Sequence, residues 1–462
     1  MENKAVEFYN GLKGKKVAFI GAGVSHKTLI KMFTEYGAKV TLCDKKEFSK
    51  FGDYGDELKK LGVNLSLGEN YLDGLKNQDM ILRTPGFEFY TKELQDRIKE
   101  GITVTSEMEL FFSLCPCKIY AVTGSDGKTT TTTLISEMLK ASGKNVHLGG
   151  NIGKALLPVA MDVKENDVAV VELSSFQLIS MRQSPDVAVV TNVTPNHLDH
   201  HKDMQEYIDA KRNILLYQKP NSKAVLGYEN EISRNMYKDV KGECRYFSRL
   251  SDLSDKKNSG YIDGDGYLVV SGRRIVHQDE VALRGKHNLE NLLAAFCAVD
   301  GRVSDDVMTK IAREFKGVEH RIEPVRTLNG VQWFNDSIAT SPTRTIAGLN
   351  SFPQKICIIA GGYDKKIPFD ELGKVIVDKV KVLILLGATS DKIEKAVTSA
   401  PGYSLSNPVI IRASSMDDAV MKASENAKPG DIVSLSPACA SFDLYENFDK
   451  RGKHFKQIVN SL

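Results

Sequence analysis

The chain has 462 residues, 42% hydrophobic and 26% charged, with 62 Lys plus Arg against 59 Asp plus Glu for a net charge of +3. That length exceeds a single hydrophobic core and predicts about three domains, while the near balance of charge excludes the basic field that holds nucleic acid or an anionic membrane surface. Seven cysteines without framework spacing, no signal-peptide pattern and no apolar run near the ~20 residues of a membrane span predict a reducing, cytoplasmic setting with no membrane insertion.

The first segment, 1–115, opens on the apolar run Val17-Ala18-Phe19-Ile20, then Gly21-Ala22-Gly23-Val24-Ser25, a helical stretch through Tyr36 and a second apolar run ending at Asp44. Strand, glycine turn, helix and strand make a βαβ unit, and so a Rossmann-like domain. The spacing falls short of a dinucleotide fingerprint because His26 takes the place of the third glycine, which argues against a nicotinamide cofactor. A nucleotide crevice at the carboxyl edge of the sheet still follows, with Asp44 placed to hold a ribose and Gly86, in Thr84-Pro85-Gly86, to admit a diphosphate. Cys115-Pro116-Cys117, without a second pair or a nearby histidine, reads as a linker and not as a metal site.

The second segment, 116–317, begins with a strand at 119–122 that runs into Thr123-Gly124-Ser125-Asp126-Gly127-Lys128-Thr129-Thr130-Thr131. A strand that turns through small residues into a helix aims backbone N–H groups and a helix N-terminus at one point, where an anion belongs. Gly124 and Gly127 permit the close approach of a phosphate, Lys128 supplies a mobile positive charge and the Thr129 hydroxyl can ligate Mg²⁺. Val122 stands where the common P-loop has its first glycine, so the loop is a shortened variant. Further strands are predicted at 168–172 and 187–192, with Glu172, Ser174 and Gln177 after the first and Asn196, His197, Asp199, His200 and His201 after the second. Ligands of open α/β sheets bind at such carboxyl ends, so these clusters should converge on the phosphate loop. Thr129, Glu172 and His197 are candidate metal ligands, whereas His200, His201 and Lys211, the last on an amphipathic helix, read from the residues alone as solvated surface.

The third segment, 318–462, repeats the alternation, with strands expected at 355–360, 380–387, 409–412 and 431–435 and a second doubly wound domain as the result. Gly361-Gly362-Tyr363-Asp364-Lys365 and Ser436-Pro437-Ala438-Cys439-Ala440-Ser441-Phe442 are small-residue loops at strand ends, suited to backbone contact with a ligand.

Eight blocks occur in order: 123–130, 172–177, Asn196-His197-Leu198-Asp199, Ala210-Lys211, 285–291, His320-Arg321, Asp336-Ser337-Ile338-Ala339-Thr340 and 436–442. Over nearly its whole length the chain thereby resembles the Mur ligase family of peptidoglycan synthesis. Within the family, the glycine-rich first domain and the closing run Asn447-Phe448-Asp449-Lys450-Arg451-Gly452 are similar to the members that add D-glutamate, and the Asp-Asn-Pro-Arg signature of those that add a diamino acid is not found. The resemblance implies an α/β fold of three domains: a Rossmann-like N-terminal domain (1–115) for a UDP substrate, a central P-loop-type ATPase domain with a mostly parallel sheet (116–317), and a Rossmann-like C-terminal domain (318–462) for the incoming amino acid. It implies an ATP-dependent amide bond, in which the carboxylate of UDP-N-acetylmuramoyl-L-alanine takes the γ-phosphate and the acyl phosphate is captured by D-glutamate; a monomer is the default expectation. Another Mur ligase amino acid, or a folylpolyglutamate synthetase-like reaction, is the alternative.

Site residues follow from the same resemblance. ATP would meet Gly124, Ser125, Asp126, Gly127, Lys128, Thr129, Thr130, Asn288, Asn291, Arg321 and Asp336. Two Mg²⁺ sites would draw on Thr129, Glu172, His197 and Lys211, the last as a carbamate, with Lys128, His197 and Lys211 catalytic. The UDP substrate would meet Ser25, Asp44, Gly86, Asn151, Ser174 and Gln177, and D-glutamate would meet Thr340, Lys365, Ser441, Phe442 and Phe448. Three positions depart from the family's usual residues: Asp126 replaces Asn, Ile338 stands where Lys is common, and Phe442 replaces Leu.

Overall fold

A computed structural model of the chain describes residues 3–197, 200–256, 258–283, 285–365 and 367–462, and of Val24 and Ser25 the backbone only. The chain divides into two compact units, Met1–Glu314 and Phe315–Leu462. The first unit holds two sheets. Strands β1 (Lys16–Ile20), β2 (Lys39–Asp44), β3 (Asn64–Leu67), β4 (Met80–Arg83) and β5 (Thr103–Thr105) form an all-parallel sheet in the order β3-β2-β1-β4-β5.

The second sheet has nine strands: β6 (Lys118–Thr123), β7 (Val146–Gly150), β8 (Val168–Glu172), β9 (Val187–Val190), β10 (Lys223–Gly227), β11 (Glu243–Phe247), β12 (Gly260–Ile262), β13 (Tyr267–Val270) and β14 (Arg273–His277). Their order is β14-β13-β12-β11-β10-β9-β6-β8-β7, parallel from β7 to β12 and closed by an antiparallel β12-β13-β14 edge. Helices cover both faces of its parallel part, so β8 (Val-Ala-Val-Val-Glu) and most of β6 are buried along their length, the reason these runs read as continuously apolar. One cluster of buried side chains joins Phe19 and Leu82 of the first sheet to Ala121 and Val171 of the second, so the two sheets share a core. Polar ties add to it: the Tyr9 hydroxyl donates to the Leu157 carbonyl at 2.9 Å, and the Glu107 carboxylate accepts the Leu156 and Leu157 N–H groups.

In the second unit, β15 (Glu323–Leu328), β16 (Val331–Asn335), β17 (Ile356–Ala360), β18 (Val380–Leu385), β19 (Val409–Arg412) and β20 (Ile432–Leu435) form a sheet in the order β15-β16-β20-β17-β18-β19. It is parallel except for the β15-β16 hairpin, whose turn residues Asn329 and Gly330 both have positive φ, the conformation a tight hairpin requires. Its two faces carry separate cores, one around Ile358, Leu383 and Ile376 and one around Trp333, Val433 and Phe455. Among the described residues no helix is long and apolar enough to cross a membrane, and none of the seven cysteines is in a disulfide. Cys115 and Cys117, with sulfurs 3.4 Å apart, lie between the helix Glu107–Leu114 and β6, as a linker would.

Candidate active site

The central β6 delivers the chain to the phosphate loop, and its neighbours β8 and β9 end alongside it. Gly127 is the residue before the helix Lys128–Ala141; it sits at φ +77 with no side-chain cap, so the first N–H groups of that helix are aimed at the loop. A Cβ on Gly127 would collide with Asn291 Oδ1, and one on Gly124 would collide with Thr191 Oγ1, so both glycines are required by packing as well as by φ. The Lys128 ammonium donates to the carbonyls of Gly124 and Ser125, at 2.9 Å each, folded back over its own loop. Ser125 Oγ donates to the Thr194 carbonyl (2.9 Å) and pairs with the Tyr207 hydroxyl (3.0 Å), which fixes the loop to the segment that follows β9. Thr130, buried, lies in the first turn of the same helix.

Glu172, at the end of β8, is buried and uses both carboxylate oxygens: Oε2 accepts the Thr129 hydroxyl at 2.7 Å and Oε1 accepts the Asn151 amide at 2.7 Å. A hydroxyl and a carboxylate in contact at a helix N-terminus are the hard oxygen donors that Mg²⁺ prefers, and the uncapped helix suits its phosphate partner; the residues therefore fit a magnesium triphosphate. Lys211 departs from the solvated position expected of a lysine on an amphipathic helix. It is 1% exposed, donates to the Gly124 carbonyl at 2.9 Å and lies 4.6 Å from the Tyr207 ring. Burial first, and then repulsion from Lys128, hold its amine well below the ordinary lysine range, against the opposing pull of Glu172 and Asp126.

His197 is exposed, has φ +57 and meets the Phe176 ring edge-on at 5.2 Å, just beyond Glu172 along the chain. His200 is exposed, as expected, and Asp199 lies outside the described residues. His201 is not surface: it is buried, stacks on Phe176 at 5.2 Å and pairs through one ring nitrogen with Ser175 Oγ (2.9 Å) and through the other with Glu206 (3.0 Å). The chain after β9 packs its histidines against Phe176, and among the described residues of 194–203 only His201 is buried by it.

Ser174 and Gln177 close a capping box at the start of the short helix Ser175–Leu178, so their side chains are engaged with each other's backbone. Asn288 and Asn291 share the helix Lys286–Val299, linked by a 2.9 Å bond, and Asn291 reaches the Thr131 hydroxyl beside the loop. In the first sheet, Asp44 accepts the N–H of Ala22 and of Lys46 at 2.9 Å each, at the strand end where a ligand is expected. His26, where a third glycine was missing, fills the turn itself: it is buried, contacts the Gly21 carbonyl at 2.8 Å and is pushed by burial down to about 4, so it is neutral. A Cβ at Gly86 would meet nothing within 4 Å, so that turn faces open space. Of Ser25, only the helical backbone is described.

In the second unit, Asp336 follows β16 and is 4% exposed; it accepts the Ile322 N–H (3.2 Å) and the Ser436 hydroxyl (3.1 Å). Burial raises its carboxyl to about 7, with Arg321 and Arg344 acting the other way. Thr340 and Lys365 line one hollow with Tyr363 and Cys439, and the Lys365 ammonium donates to the Thr340 carbonyl at 3.1 Å. Ser441 is buried, while Phe442 is exposed with its ring 5.9 Å from that of Tyr363, and Phe448 lies against His320. Sequence reasoning missed Tyr207, Ser175, Glu206 and Thr191. Tyr207, Ser175 and Thr191 act by bonding residues distant in the chain, and Glu206 by pairing with His201, five positions before it.

The Mur ligase middle domain matches residues 122–299, and the Mur ligase glutamate ligase domain matches residues 320–439. The chain is 50% identical to the UDP-N-acetylmuramoylalanine--D-glutamate ligase of Acetivibrio thermocellus and 47% identical to that of Clostridium botulinum (strain Okra / Type B1), with 100% of each chain covered in both cases. Among solved structures, UDP-N-acetylmuramate-alanine ligase from Thermotoga maritima shares the fold with a TM-score of 0.57 at 16% identity, over 97% of this chain and 99% of that one. Two domain models of one family together with full-length relatives at 47–50% identity leave one conclusion: the chain belongs to the Mur ligase family.

Proposed function

We propose that the chain is an ATP-dependent ligase that joins D-glutamate to UDP-N-acetylmuramoyl-L-alanine, a cytoplasmic step of peptidoglycan synthesis. The observation that carries the reaction type is the buried Lys211 amine against the carbonyl of Gly124 in a phosphate loop that also presents Thr129 and Glu172. The choice of D-glutamate is supported by the full-length relatives that carry that name.

A carboxylate is a poor electrophile, and transfer of the γ-phosphate to it makes an acyl phosphate whose phosphate leaves when the amine attacks. In this reading the N–H groups of the helix Lys128–Ala141 and the Lys128 ammonium hold the triphosphate, and Lys128 leaves its own loop carbonyls to do so. Thr129 and Glu172 would hold one Mg²⁺, and His197 with Lys211 a second. Mg²⁺ supplies charge neutralisation on the phosphoryl group being transferred. Burial favours the neutral form of Lys211, whose free electron pair would add to CO₂ with release of a proton and leave a carbamate with carboxylate-like oxygens. Asn288 and Asn291, in the first unit, are assigned to the adenine region, and Arg321 and Asp336, in the second, to ATP. Ser25, Asp44, Gly86, Asn151, Ser174 and Gln177 are assigned to the UDP substrate. In the second unit, Lys365 lines the hollow with Thr340, its amine pKa lowered by burial and then by Arg344, and is assigned as the counter-charge of a dicarboxylate amino acid together with Thr340, Ser441, Phe442 and Phe448. We assign the domains as 1–115, 116–317 and 318–462, and the working form as a monomer.

Phosphate release from ATP, measured with UDP-N-acetylmuramoyl-L-alanine and each amino acid in turn, tests this. Release should require D-glutamate; release with L-lysine or diaminopimelate in its place overturns the substrate assignment.

A further inference from the structure

Arg83, the last residue of β4, immediately precedes the Thr84-Pro85-Gly86 turn and is 1% exposed. One terminal nitrogen donates to three carbonyls of that turn, Thr84 (3.2 Å), Pro85 (3.3 Å) and Phe87 (2.9 Å). The other crosses to the second sheet's segment, donating to the Phe176 carbonyl (2.8 Å) and to Ser180 Oγ (3.1 Å). Ser180 in turn donates to the Glu109 carboxylate at 3.1 Å, the acid that faces this guanidinium. The Phe89 ring lies 5.6 Å from the guanidinium carbon, and the Arg83 Nε has no partner among the described residues.

Burying a guanidinium with one N–H unsatisfied is costly, and apolar side chains of similar volume usually pack such a place at least as well. What an arginine does here, and an apolar residue does not, is gather carbonyls. In a trans peptide the C=O and the following N–H point in opposite directions. With the Pro85 and Phe87 carbonyls drawn onto Arg83, the N–H groups of Gly86 and Glu88 are turned away from it, on a turn whose Gly86 faces open space. Outward N–H groups on a glycine turn make an anion-binding concavity. The same guanidinium pins that turn to Phe176, whose ring meets His197 and His201.

We infer that Arg83 is a positioning residue for the substrate, shaping the Thr84-Pro85-Gly86 turn to receive a diphosphate and fixing it relative to the Phe176–His197 side of the active site. The identity of the diphosphate as that of a UDP-sugar rests on the proposed function. The test uses the full chain, Arg83→Ala and Arg83→Lys, with the KM of each substrate measured separately and with calorimetric binding of UDP alone as a readout that needs no turnover. In Arg83→Ala, KM for UDP-N-acetylmuramoyl-L-alanine should rise and UDP binding weaken, each by roughly tenfold or more. KM for ATP and D-glutamate should stay within about twofold, methylguanidinium should restore part of the loss, and Arg83→Lys should fall between the two, since an ammonium reaches fewer carbonyls. If Arg83→Ala does not fold, Arg83→Lys carries the same comparison. Unchanged UDP binding, or an equal rise of all three KM values, overturns the inference. Wild-type protein that binds UDP but does not turn over these substrates overturns the proposed reaction instead, and weakened UDP binding in the variant then still supports the role of Arg83.

Discussion

Asp336→Asn tests the electrostatics of the second unit directly. The Asp336 carboxyl is raised by burial to about 7 in the folded unit and returns to about 3.9 in the unfolded chain. Below the unfolded value both states are protonated. Between the two values the folded state alone holds the proton, so the stabilisation that protonation gives is lost as pH rises through about 7. The displacement of about three units, at about 1.4 kcal/mol each, sets a ceiling of about 4 kcal/mol for the cost of the buried carboxylate above neutrality. Asparagine cannot ionise and keeps an acceptor for the Ile322 N–H, while its amide N–H faces the Ser436 oxygen, which then accepts where it donated to the carboxylate. Trp333, the chain's single tryptophan, is buried in β16 three residues before Asp336, so its fluorescence in urea reports the unfolding of this unit. The variant should match the wild type within about 1 kcal/mol near pH 4.5 and exceed it by about 2–4 kcal/mol at pH 8.5. A stability difference that is the same at both pH values refutes the reasoning.

Three further outcomes follow from the phosphate loop. Lys211→Ala should abolish turnover and recover part of it with added short carboxylates, read as phosphate release; a full rate without any addition removes Lys211 from the mechanism. Gly127→Ala forces an L side chain into φ +77 and onto Asn291, at a backbone cost of about 1–2 kcal/mol, so the melting temperature should fall and its rise on adding ATP should vanish; an undiminished rise would show that the loop tolerates a Cβ. Asp126→Asn should leave the fold intact and tighten ATP binding a few-fold at low ionic strength, with the gain gone near 1 M salt, where screening acts within about 3 Å; a titration showing the same gain at both ionic strengths contradicts a charge effect.

The buried parallel strands were legible because a strand covered on both faces is apolar throughout, as at Val168–Glu172 and Ile356–Ala360. The antiparallel β12-β13-β14 edge and the β15-β16 hairpin were not expected, although Asn329-Gly330 between Leu328 and Val331 is a hairpin signal the chain does carry. The phosphate loop and Glu172 were placed from strand ends alone. Lys211 was not, since an amphipathic helix does not tell a lysine that reaches a loop from one that reaches water; only the chain around Gly124 decides it. His201 failed for the same reason, its burial depending on Phe176, 25 positions earlier. Arg83 had a signal: a charged residue closing an apolar strand just before Thr-Pro-Gly is a place where burial of charge needs a reason.

Asp126 stood out in the sequence as a negative charge set among phosphate-binding groups, and the structure separates its two contributions. Its backbone holds the loop: the N–H donates to Asn192 Oδ1 at 2.9 Å and the carbonyl accepts the Thr191 hydroxyl at 2.6 Å, both from the end of β9. The side chain is exposed and lies outside those bonds, so asparagine and aspartate serve the loop's shape equally. What the carboxylate adds is charge. It pushes the Tyr207 phenol up, after burial and against Ser125, and it works with Glu172 against the depression of the Lys211 amine. Burial and Lys128 still prevail at Lys211, because a buried amine loses its hydration outright while an exposed carboxylate acts on it through solvent. An aspartate at this position is therefore compatible with a depressed Lys211 amine, and its effect falls on the electrostatics of a bound triphosphate and not on the geometry of the loop that would hold it.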